Sequence, residues 1–561
     1  MPRILGELAY KIQWRDFEGC RCALLCLAVR QIHHRAWLLV LLSAGLQIAI
    51  FPLPNLYVFC WVAVTPLLIA LLRAREPDTL QLREGIKLLP AKPLQGFLLA
   101  YTCGVLWYGG TCYWVYNTMR QYGGVEAPVA VGILILFCLY LAIYHGVFGL
   151  LICLLADTSA FNRRALVLAP VAWVAVELAR TRITGFPWDL LGTTQVDNIP
   201  LARIATATGV YGLSLEIMIV SSAWAAVSLV RRDRRKPLLT AATAATLILQ
   251  AGRLVPAPPL YADKTAVLVQ SNVPVLQGAD WTRDYFITTL RELSALSLNP
   301  GMSSDAQPSH ADLIVWPESP APFYTSDPLF RNALSSVARE ANTWVLAGAV
   351  GIDNATQKPE QATKIYNSAQ LVGPTGEWVS RYNKAHLVPF GEYVPFKRFF
   401  AFAGGLTKEV GEFSAGASRL PLTADGSKLG VLICYESIFP DEVRQFAAHG
   451  AQALVNISND GWYGDSGAYA QHLKQARMRA VENARWLLRD TNTGVTASID
   501  PYGRIVANVP RKVRIALQAP YALADETTFY TRHGDWFAYL CAIICVAAVI
   551  LRLSIRNKAD R

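Results

Sequence analysis

The sequence has little charge for its length. Only 17% of its 561 residues are Asp, Glu, Lys or Arg, whereas soluble globular chains carry about 25%. It also has no HExxH pair, no Walker phosphate loop and no GxGxxG motif. These absences argue against a zinc-peptidase helix and against a nucleotide-binding loop. We therefore expect no metal and no cofactor.

Long apolar runs account for the low charge. A membrane-spanning helix needs about 20 mostly apolar residues, and the runs here are of that length. The first is not followed by a cleavage-like site, so we interpret it as an anchor rather than a signal peptide. We predict eight spans, at about residues 36–53, 55–72, 95–116, 128–155, 165–180, 207–230, 237–255 and 535–553.

Basic residues decide the predicted orientation. Lys and Arg cluster before the first span and again in the loops 73–92 and 231–236, whereas the loop 51–55 has none. Because cytoplasmic loops are enriched in Lys and Arg, we expect both termini in the cytoplasm. The net charge of +11 comes largely from these short loops, so nucleic acid is not expected as a partner.

Four segments follow from this topology. Residues 1–35 form a cytoplasmic N-terminal segment, and residues 36–256 form a seven-helix transmembrane bundle. Residues 257–533 form an extracytoplasmic domain, and residues 534–561 form the last transmembrane helix with a cytoplasmic tail. The expected architecture is thus an α/β membrane protein, with a bundle of eight transmembrane helices and one large domain outside the cytoplasm.

The extracytoplasmic segment alternates between strand-like and helix-like stretches. We predict strands at 265–270, 312–316, 344–350, 365–372, 377–381, 428–433, 452–457 and 494–499, and helices at 281–298, 328–341, 440–449 and 468–488. Short apolar strands between amphipathic helices are typical of sheets covered by helices. Glu318 and Cys434 each follow a predicted strand, and functional side chains gather at such strand ends.

Cysteine is rare in this segment. Of the 11 cysteines in the chain, only Cys434 lies between residues 257 and 533. A lone cysteine in an oxidising compartment is either buried as a small apolar residue or used chemically. If it is a nucleophile, it needs a base, and both carboxylates and His386 are candidates. The residues alone leave a Cys–His arrangement open.

Several segments resemble the nitrilase superfamily, over residues 265–505. The resemblance rests on WPES around Glu318, YNKAHLVPFGEYVP around Lys384 and ICYES around Cys434, followed by ISNDGWYG and RMRAVENARWLLRDTNTG. Within the eight-span frame, the chain from about residue 37 is similar to the bacterial apolipoprotein N-acyltransferases. This resemblance implies a nitrilase-like α-β-β-α sandwich and a Glu–Lys–Cys triad.

The resemblance also implies a role for each site residue. Cys434 is the expected nucleophile, Glu318 the general base and later acid, and Lys384 the group that stabilises the oxyanion. Glu392 and Glu436 match two supporting acids, although surface or structural ion pairs are the alternative. Trp281 and Tyr435 match positions that shape the lipid site, although ordinary aromatic packing is the alternative. His386 is then expected to be structural.

The expected reaction is a two-step acyl transfer in the bacterial inner membrane, with the catalytic domain on the periplasmic side. An sn-1 acyl chain passes from a phospholipid, in the family often phosphatidylethanolamine, to the cysteine as a thioester. It then passes to the N-terminal amine of a diacylglyceryl-cysteine apolipoprotein. This step completes lipoprotein maturation.

An aromatic segment follows the lysine motif. Residues 390–402 contain five Phe and Tyr393, with Lys397 and Arg398 among them. The pattern suggests an arm that inserts aromatic rings at the lipid interface while its cations meet headgroups. A buried aromatic cluster is the alternative.

Three other functions fit parts of the sequence. A membrane-tethered amidase acting on a small amide would share the triad, but it would need only one anchor. A transporter with a ligand-binding domain would use many spans, but it would not need Cys434. An inactive structural domain would not need all three triad residues.

Overall fold

The computed structural model describes residues 31–77, 88–156, 162–275, 281–300, 311–353, 364–393 and 413–559. Helices dominate the first half, and short helical turns connect them. They are α1 (His34–Ala49), α2 (Tyr57–Leu72), α3 (Pro93–Thr111), α4 (Trp114–Gln121), α5 (Ala127–Leu155), α6 (Arg163–Ala179), α7 (Val210–Leu229) and α8 (Arg232–Ala251). The second half adds α9 (Arg283–Leu298), α10 (Pro328–Ala341), α11 (Pro440–Ala448), α12 (Ala468–Asn483), α13 (Phe529–His533) and α14 (Trp536–Ala559).

A helix overlaps each predicted span, and the number of helices that cross the membrane stays a prediction. Among the described residues, α5, α7 and Trp536–Ile555 of α14 are long and apolar enough to cross a membrane, and α1 and α2 are shorter apolar helices. Several of these helices turn large apolar side chains outward, for example Leu136, Ile543 and Ile550 at 67%, 67% and 59% exposure. Outward-facing apolar side chains suit a lipid environment rather than water.

Two six-stranded sheets make up the centre of the second half. The first sheet has the order β12-β1-β2-β3-β4-β5 and the second has the order β11-β10-β9-β8-β7-β6. The strands are β1 (Lys264–Gln270), β2 (Leu313–Trp316), β3 (Trp344–Asp353), β4 (Lys364–Val372), β5 (Trp378–Asn383), β6 (Leu422–Ala424), β7 (Ser427–Ile433), β8 (Ala453–Ser458), β9 (Leu487–Thr491), β10 (Ala497–Ile499), β11 (Ile505–Asn508) and β12 (Ile515–Tyr521).

Alternation along the strands builds the sandwich. In β1, Ala266 and Leu268 join the core shared by both sheets, whereas Val267 and Val269 pack on the side covered by α9 and α10. Such alternation is the natural period of a strand. Residues of α11 and α12 pack on the second sheet in the same core. The expected nitrilase-like arrangement of sheets covered by helices is confirmed.

The helix predicted at 468–488 is too long. It ends at Asn483, where Ala484 adopts a left-handed φ of 49° and its amide caps the helix by bonding to the carbonyls of Ala480 and Val481. Residues Leu487–Thr491 instead form strand β9, in the middle of the second sheet. This strand contains buried Arg489 and Asp490, so its apolar pattern is interrupted. Strands β6, β11 and β12 were not predicted either.

Polar contacts join the sandwich to the helical half of the chain. Arg182, just after α6, bonds to Asp441 at 2.9 Å and to Asp535 at 2.6 Å. Glu482 accepts a hydrogen bond from the backbone N–H of Val210, the first residue of α7, at 2.9 Å. These contacts join α11, α12 and the start of α14 to the helices of the first half.

Candidate active site

Glu318 lies two residues beyond β2, where the chain leaves the first sheet. Its Oε1 accepts a hydrogen bond from the side-chain amide of Asn367 at 2.8 Å, and its Oε2 accepts one from the backbone N–H of Asn459 at 2.8 Å. The side chain is only 7% exposed. The carboxylate is therefore oriented by the protein at both oxygens.

Lys384 follows β5 directly and points into the same space. Its Nζ lies 3.0 Å from Oε1 of Glu392 and 3.5 Å from Oε1 of Glu318. The backbone of Lys384 is fixed at both ends, because its N–H donates to Asn367 and its carbonyl accepts from Gly416, each at 2.8 Å. One ammonium group thus sits between two carboxylates.

Cys434 stands at the end of β7, as the first residue of the 3-10 turn Cys434–Ile438. Its φ is 50°, a left-handed value that is uncommon for residues with a side chain. Strain of this kind persists only where surrounding contacts hold it, and it clusters at functional sites. The turn brings the thiol within electrostatic range of Glu318 and Lys384.

The charges around the site shift two pKa values. Burial raises the pKa of the Cys434 thiol, and so does Glu318, whereas Lys384 and the side chain of Ser458 oppose the rise. Burial alone would lower the pKa of Lys384, but Glu392 and Glu318 outweigh it and hold that pKa above its ordinary value. At neutral pH the site therefore rests with a protonated thiol beside a firmly charged ammonium.

Glu392 ties the lysine to its surroundings. Its Oε1 accepts from both Lys384 and Asn367, and its Oε2 accepts from the backbone N–H of Val388 at 2.8 Å. Asn367 therefore bridges Glu392 and Glu318 with a single amide group. The second carboxylate is buried in the site rather than placed in a surface ion pair.

Glu436 connects the lysine segment to the cysteine turn. Its Oε1 accepts from Tyr382 Oη at 2.7 Å and from the backbone N–H groups of Ala385 and His386 at 2.7 and 3.1 Å. Its Oε2 accepts from the backbone N–H of Ile433 at 2.8 Å. Burial raises the pKa of Glu436, against the hydrogen bonds that favour the carboxylate. This single side chain fixes the spacing between the strand ends of β5 and β7.

His386 does not face the thiol. Its Nδ1 lies 2.7 Å from Oε1 of Glu442, and its ring stacks on Phe439 with centroids 3.8 Å apart. The structure gives the Cys–His arrangement no support, and the described contacts of this histidine are structural.

The two aromatic candidates lie in different places. Tyr435 is buried where the cysteine turn meets the helical half, with its ring 5.1 Å from Phe439 and its hydroxyl 3.5 Å from the carbonyl of Gly185. Trp281 instead packs against Tyr285 with ring centroids 4.9 Å apart, on the side of the first sheet that α9 and α10 cover. Tyr435 follows Cys434 directly, whereas the placement of Trp281 at the lipid site stays a prediction.

Three polar residues of the site were missed from the sequence. They are Asn367, Asn459 and His472, and all three are buried. Asn459 follows strand β8 just as Cys434 follows β7, so its position was a usable signal. Asn367 lies inside β4 and His472 inside α12, where the sequence pattern gives no hint of a role.

Residues 394–402 of the aromatic segment lie outside the described residues. Glu177, which lies in α6, accepts a hydrogen bond from the backbone N–H of Leu191 at 2.8 Å.

Comparison with known families gives two matches that together cover most of the chain. Residues 266–525 match the carbon-nitrogen hydrolase family. Residues 43–223 match the apolipoprotein N-acyltransferase N-terminal domain. The first match contains the proposed triad, and the second covers most of the helical half.

Two apolipoprotein N-acyltransferases align with most of this chain. An apolipoprotein N-acyltransferase from Geobacter metallireducens is 34% identical over 543 residues, which cover 94% of this chain and 97% of the relative. Another from Methylococcus capsulatus is 35% identical, covering 81% of this chain and 87% of the relative. The crystal structure of a carbon-nitrogen hydrolase from Helicobacter pylori G27 is 17% identical, covers 46% of this chain and 88% of that chain, and has a TM-score of 0.33.

Proposed function

This chain belongs to the apolipoprotein N-acyltransferase family, and we propose that Glu318, Lys384 and Cys434 perform its acyl transfer. The enzyme moves an acyl group from a phospholipid to an apolipoprotein through a thioester, in lipoprotein maturation. The observation that supports the residue assignment most strongly is the Lys384 ammonium between Glu318 and Glu392, at the strand ends beside Cys434.

In the first half-reaction, Cys434 attacks the ester carbonyl of the phospholipid. The thiol proton passes to Glu318 as the sulfur–carbon bond forms, because a thiol of raised pKa is not ionised beforehand. The negative charge on the carbonyl oxygen develops beside Lys384, whose ammonium stabilises it. The carbon–oxygen bond then breaks, Glu318 returns its proton to the leaving oxygen, and a lysophospholipid departs.

In the second half-reaction, the free amine of the diacylglyceryl-cysteine attacks the thioester. Glu318 takes a proton from the amine, and Lys384 again faces the oxyanion. The carbon–sulfur bond breaks, an amide forms, and the sulfur of Cys434 regains its proton from Glu318. We propose the sn-1 chain of phosphatidylethanolamine as the acyl group that enters this cycle.

Glu392 and Glu436 are proposed as supporting residues. Glu392 keeps Lys384 charged and oriented, because its Oε1 lies 3.0 Å from the lysine Nζ. Its carboxylate also shares the side-chain amide of Asn367 with Glu318. Glu436 sets the distance between the lysine segment and the cysteine turn through four hydrogen bonds. Neither needs to touch the substrate for these roles.

Tyr435 and Trp281 are proposed to shape the lipid site. For Tyr435 the support is its burial between the cysteine turn and the membrane-side helices. For Trp281 the support is the family resemblance alone. A site open to lipid suits substrates with long acyl chains, because each buried CH₂ contributes about 0.8 kcal/mol.

We further propose the topology that the basic loops predict. In it, residues 36–256 form seven spans, residues 534–561 add the eighth with a short tail, and both termini face the cytoplasm. Residues 257–533 then lie in the periplasm, where lipoproteins are exposed. Reaction of a Glu340→Cys variant, substituted at an exposed position, with a membrane-impermeant maleimide on spheroplasts tests this side assignment.

The test of the function is the identity of the product. Purified enzyme is incubated with phosphatidylethanolamine and a diacylated lipopeptide, and in parallel with small amides. We expect lysophosphatidylethanolamine and a triacylated peptide in a one-to-one ratio. Release of ammonia from the amides without lysophospholipid formation would contradict the proposal and favour a tethered amidase.

A further inference from the structure

Three polar side chains converge on Asp460, two residues beyond β8. Its Oδ1 accepts from Ser458 at 2.8 Å and lies 3.2 Å from Nδ1 of His472, while Nη2 of Arg489 lies 2.8 Å from its Oδ2. All four side chains are at most 1% exposed. A buried polar network of this kind is costly unless its members are satisfied, and the mechanism above gives it no role.

The other nitrogen of His472 reaches the backbone of the cysteine turn. Nε2 lies 3.1 Å from the carbonyl oxygen of Cys434 and 2.8 Å from Oγ of Ser437. Ser437 Oγ donates to the same carbonyl at 3.0 Å. These two contacts hold the carbonyl of Cys434, the residue with the left-handed φ of 50°.

The partners of His472 determine where its ring proton sits. A carbonyl oxygen only accepts hydrogen bonds and Ser437 has one proton to give, so Nε2 of His472 is the protonated nitrogen. On the other side of the ring, Nδ1 lies 3.1 Å from Nη2 of Arg489, a donor, and 3.2 Å from Oδ1 of Asp460, an acceptor. Burial lowers the pKa of His472, and Arg489 lowers it further, which agrees with a neutral ring.

Arg489 therefore bridges His472 and Asp460 rather than leaving them as a simple ion pair. Burial alone would raise the pKa of Asp460, but Arg489 and His472 outweigh it and hold that pKa below its ordinary value. The indole of Trp188 stacks on one face of the His472 imidazole, with ring centroids 6.1 Å apart. The ring is thus fixed by hydrogen bonds at both nitrogens and by packing on its face.

We propose that His472, oriented by Asp460 and Arg489, is a positioning residue that holds the backbone of Cys434 in its reactive conformation. The inference rests on the proposed role of Cys434 as nucleophile. Ser458 adds a second link, because it joins Asp460 to the end of β8, which pairs with β7 just before Cys434. The network therefore holds the carbonyl of Cys434 and the strand end beside it, and small misplacements of a nucleophile are expensive in rate.

The experiment compares two substitutions at one position in the full-length enzyme. His472→Leu removes the N–H donor to the Cys434 carbonyl, whereas His472→Gln can still donate one. The readout is the rate of Cys434 acylation by phosphatidylethanolamine, which is measured by rapid quenching and mass spectrometry. We expect His472→Leu to slow acylation about 100-fold, with KM unchanged. We expect His472→Gln to acylate about tenfold faster than His472→Leu.

Ser437→Ala provides a variant that does not depend on the folding of His472→Leu. It removes the other hydrogen bond to the same carbonyl and is expected to slow the same step with KM unchanged. His449→Leu is the matched control, because His449 is exposed and contacts the carbonyl of Arg419 instead. Its acylation rate is expected to equal that of the wild type.

The outcomes separate this inference from the proposed function. If the wild type forms no acyl group on Cys434, the proposed function fails. If the wild type acylates and His472→Leu acylates equally fast, or His472→Gln is as slow as folded His472→Leu, the positioning role fails. A wild-type rate in Ser437→Ala would also overturn it.

Discussion

The backbone N–H of Asn459 donates a hydrogen bond to Oε2 of Glu318 over 2.8 Å. This bond joins the two sheets of the sandwich, because Glu318 follows β2 of the first sheet and Asn459 follows β8 of the second. The carboxylate is thereby held in place before any substrate arrives. A preset orientation of this kind removes part of the entropy that a reaction would otherwise lose.

Glu318→Gln tests the proposed base directly. The amide keeps the shape of the side chain but accepts no proton from a thiol or amine, so kcat is expected to fall about 10³-fold. Glu392→Gln, which leaves the base in place, is expected to cost less. Glu340→Gln, an exposed residue of α10, is the control with wild-type activity. Lysophospholipid release measures all three, and a Glu318→Gln enzyme within tenfold of the wild type would refute the assignment.

Lys384→Met tests the charge balance of the site through stability. The pKa of Lys384 is raised in the folded state, so its stabilising contribution is present below the unfolded pKa of about 10.4 and is lost only as pH rises through the folded value. The variant leaves two buried carboxylates without a cation, at a cost of about 3–5 kcal/mol. Protonation of a carboxylate at low pH relieves that cost.

The drop in melting temperature caused by Lys384→Met is therefore expected to be larger at pH 8 than at pH 5, measured by thermal unfolding in detergent. Lys264→Met is the matched control, since Lys264 pairs with Asp312 and both are about one-third exposed. Its shift is expected to be small at both pH values, because exposed ion pairs contribute about 0–1 kcal/mol. An equal drop for Lys384→Met at pH 5 and pH 8 would contradict the charge assignment.

Glu436→Gln tests the link between the lysine segment and the cysteine turn. The amide presents a donor where Glu436 Oε2 accepts from Ile433, so one buried N–H loses its partner at a cost of about 1–3 kcal/mol. Activity is expected to fall along with stability. Tyr382→Phe removes only the hydroxyl bond to the same carboxylate, and a smaller loss is expected. Equal losses in unfolding experiments would show that the backbone bonds are not decisive.

Tyr435 offers a test of the lipid site. Its hydroxyl contact with Gly185 is long, at 3.5 Å, whereas its ring packs against Phe439 and His386. Tyr435→Phe is therefore expected to retain near-wild-type activity, and Tyr435→Ala to raise KM for phosphatidylethanolamine in mixed micelles more than about tenfold. A Phe variant as impaired as the Ala variant would assign the function to the hydroxyl instead.

The residues of the proposed triad were easier to find from the sequence than the polar residues that surround them. Glu318 and Cys434 stand at strand ends, where position alone suggests function, and family motifs surround both. His472 lies in α12, whose many polar residues resemble a solvated helix. The structure instead buries them, because α12 lies between the sandwich and the helical half of the chain. There Gln471 bonds to the indole of Trp188 and to the carbonyl of Pro52.

The same cause explains the error at β9. Arg489 and Asp490 are buried because they pair with partners distant in sequence, such as Asp460 and the backbone of Val269. A pattern of apolar residues does not reveal such partners. Most of the apolar helices and strands were therefore predictable, whereas a polar segment buried by tertiary contacts, such as β9, was not.

The most direct test of the account is the mass of the Cys434 peptide after the enzyme meets phosphatidylethanolamine without any acceptor. We expect an acyl group on Cys434 that hydroxylamine removes, that a diacylated lipopeptide discharges, and that is missing from Cys434→Ala. Continued acyl transfer by Cys434→Ala, or an acyl group found only on another residue, would contradict the account.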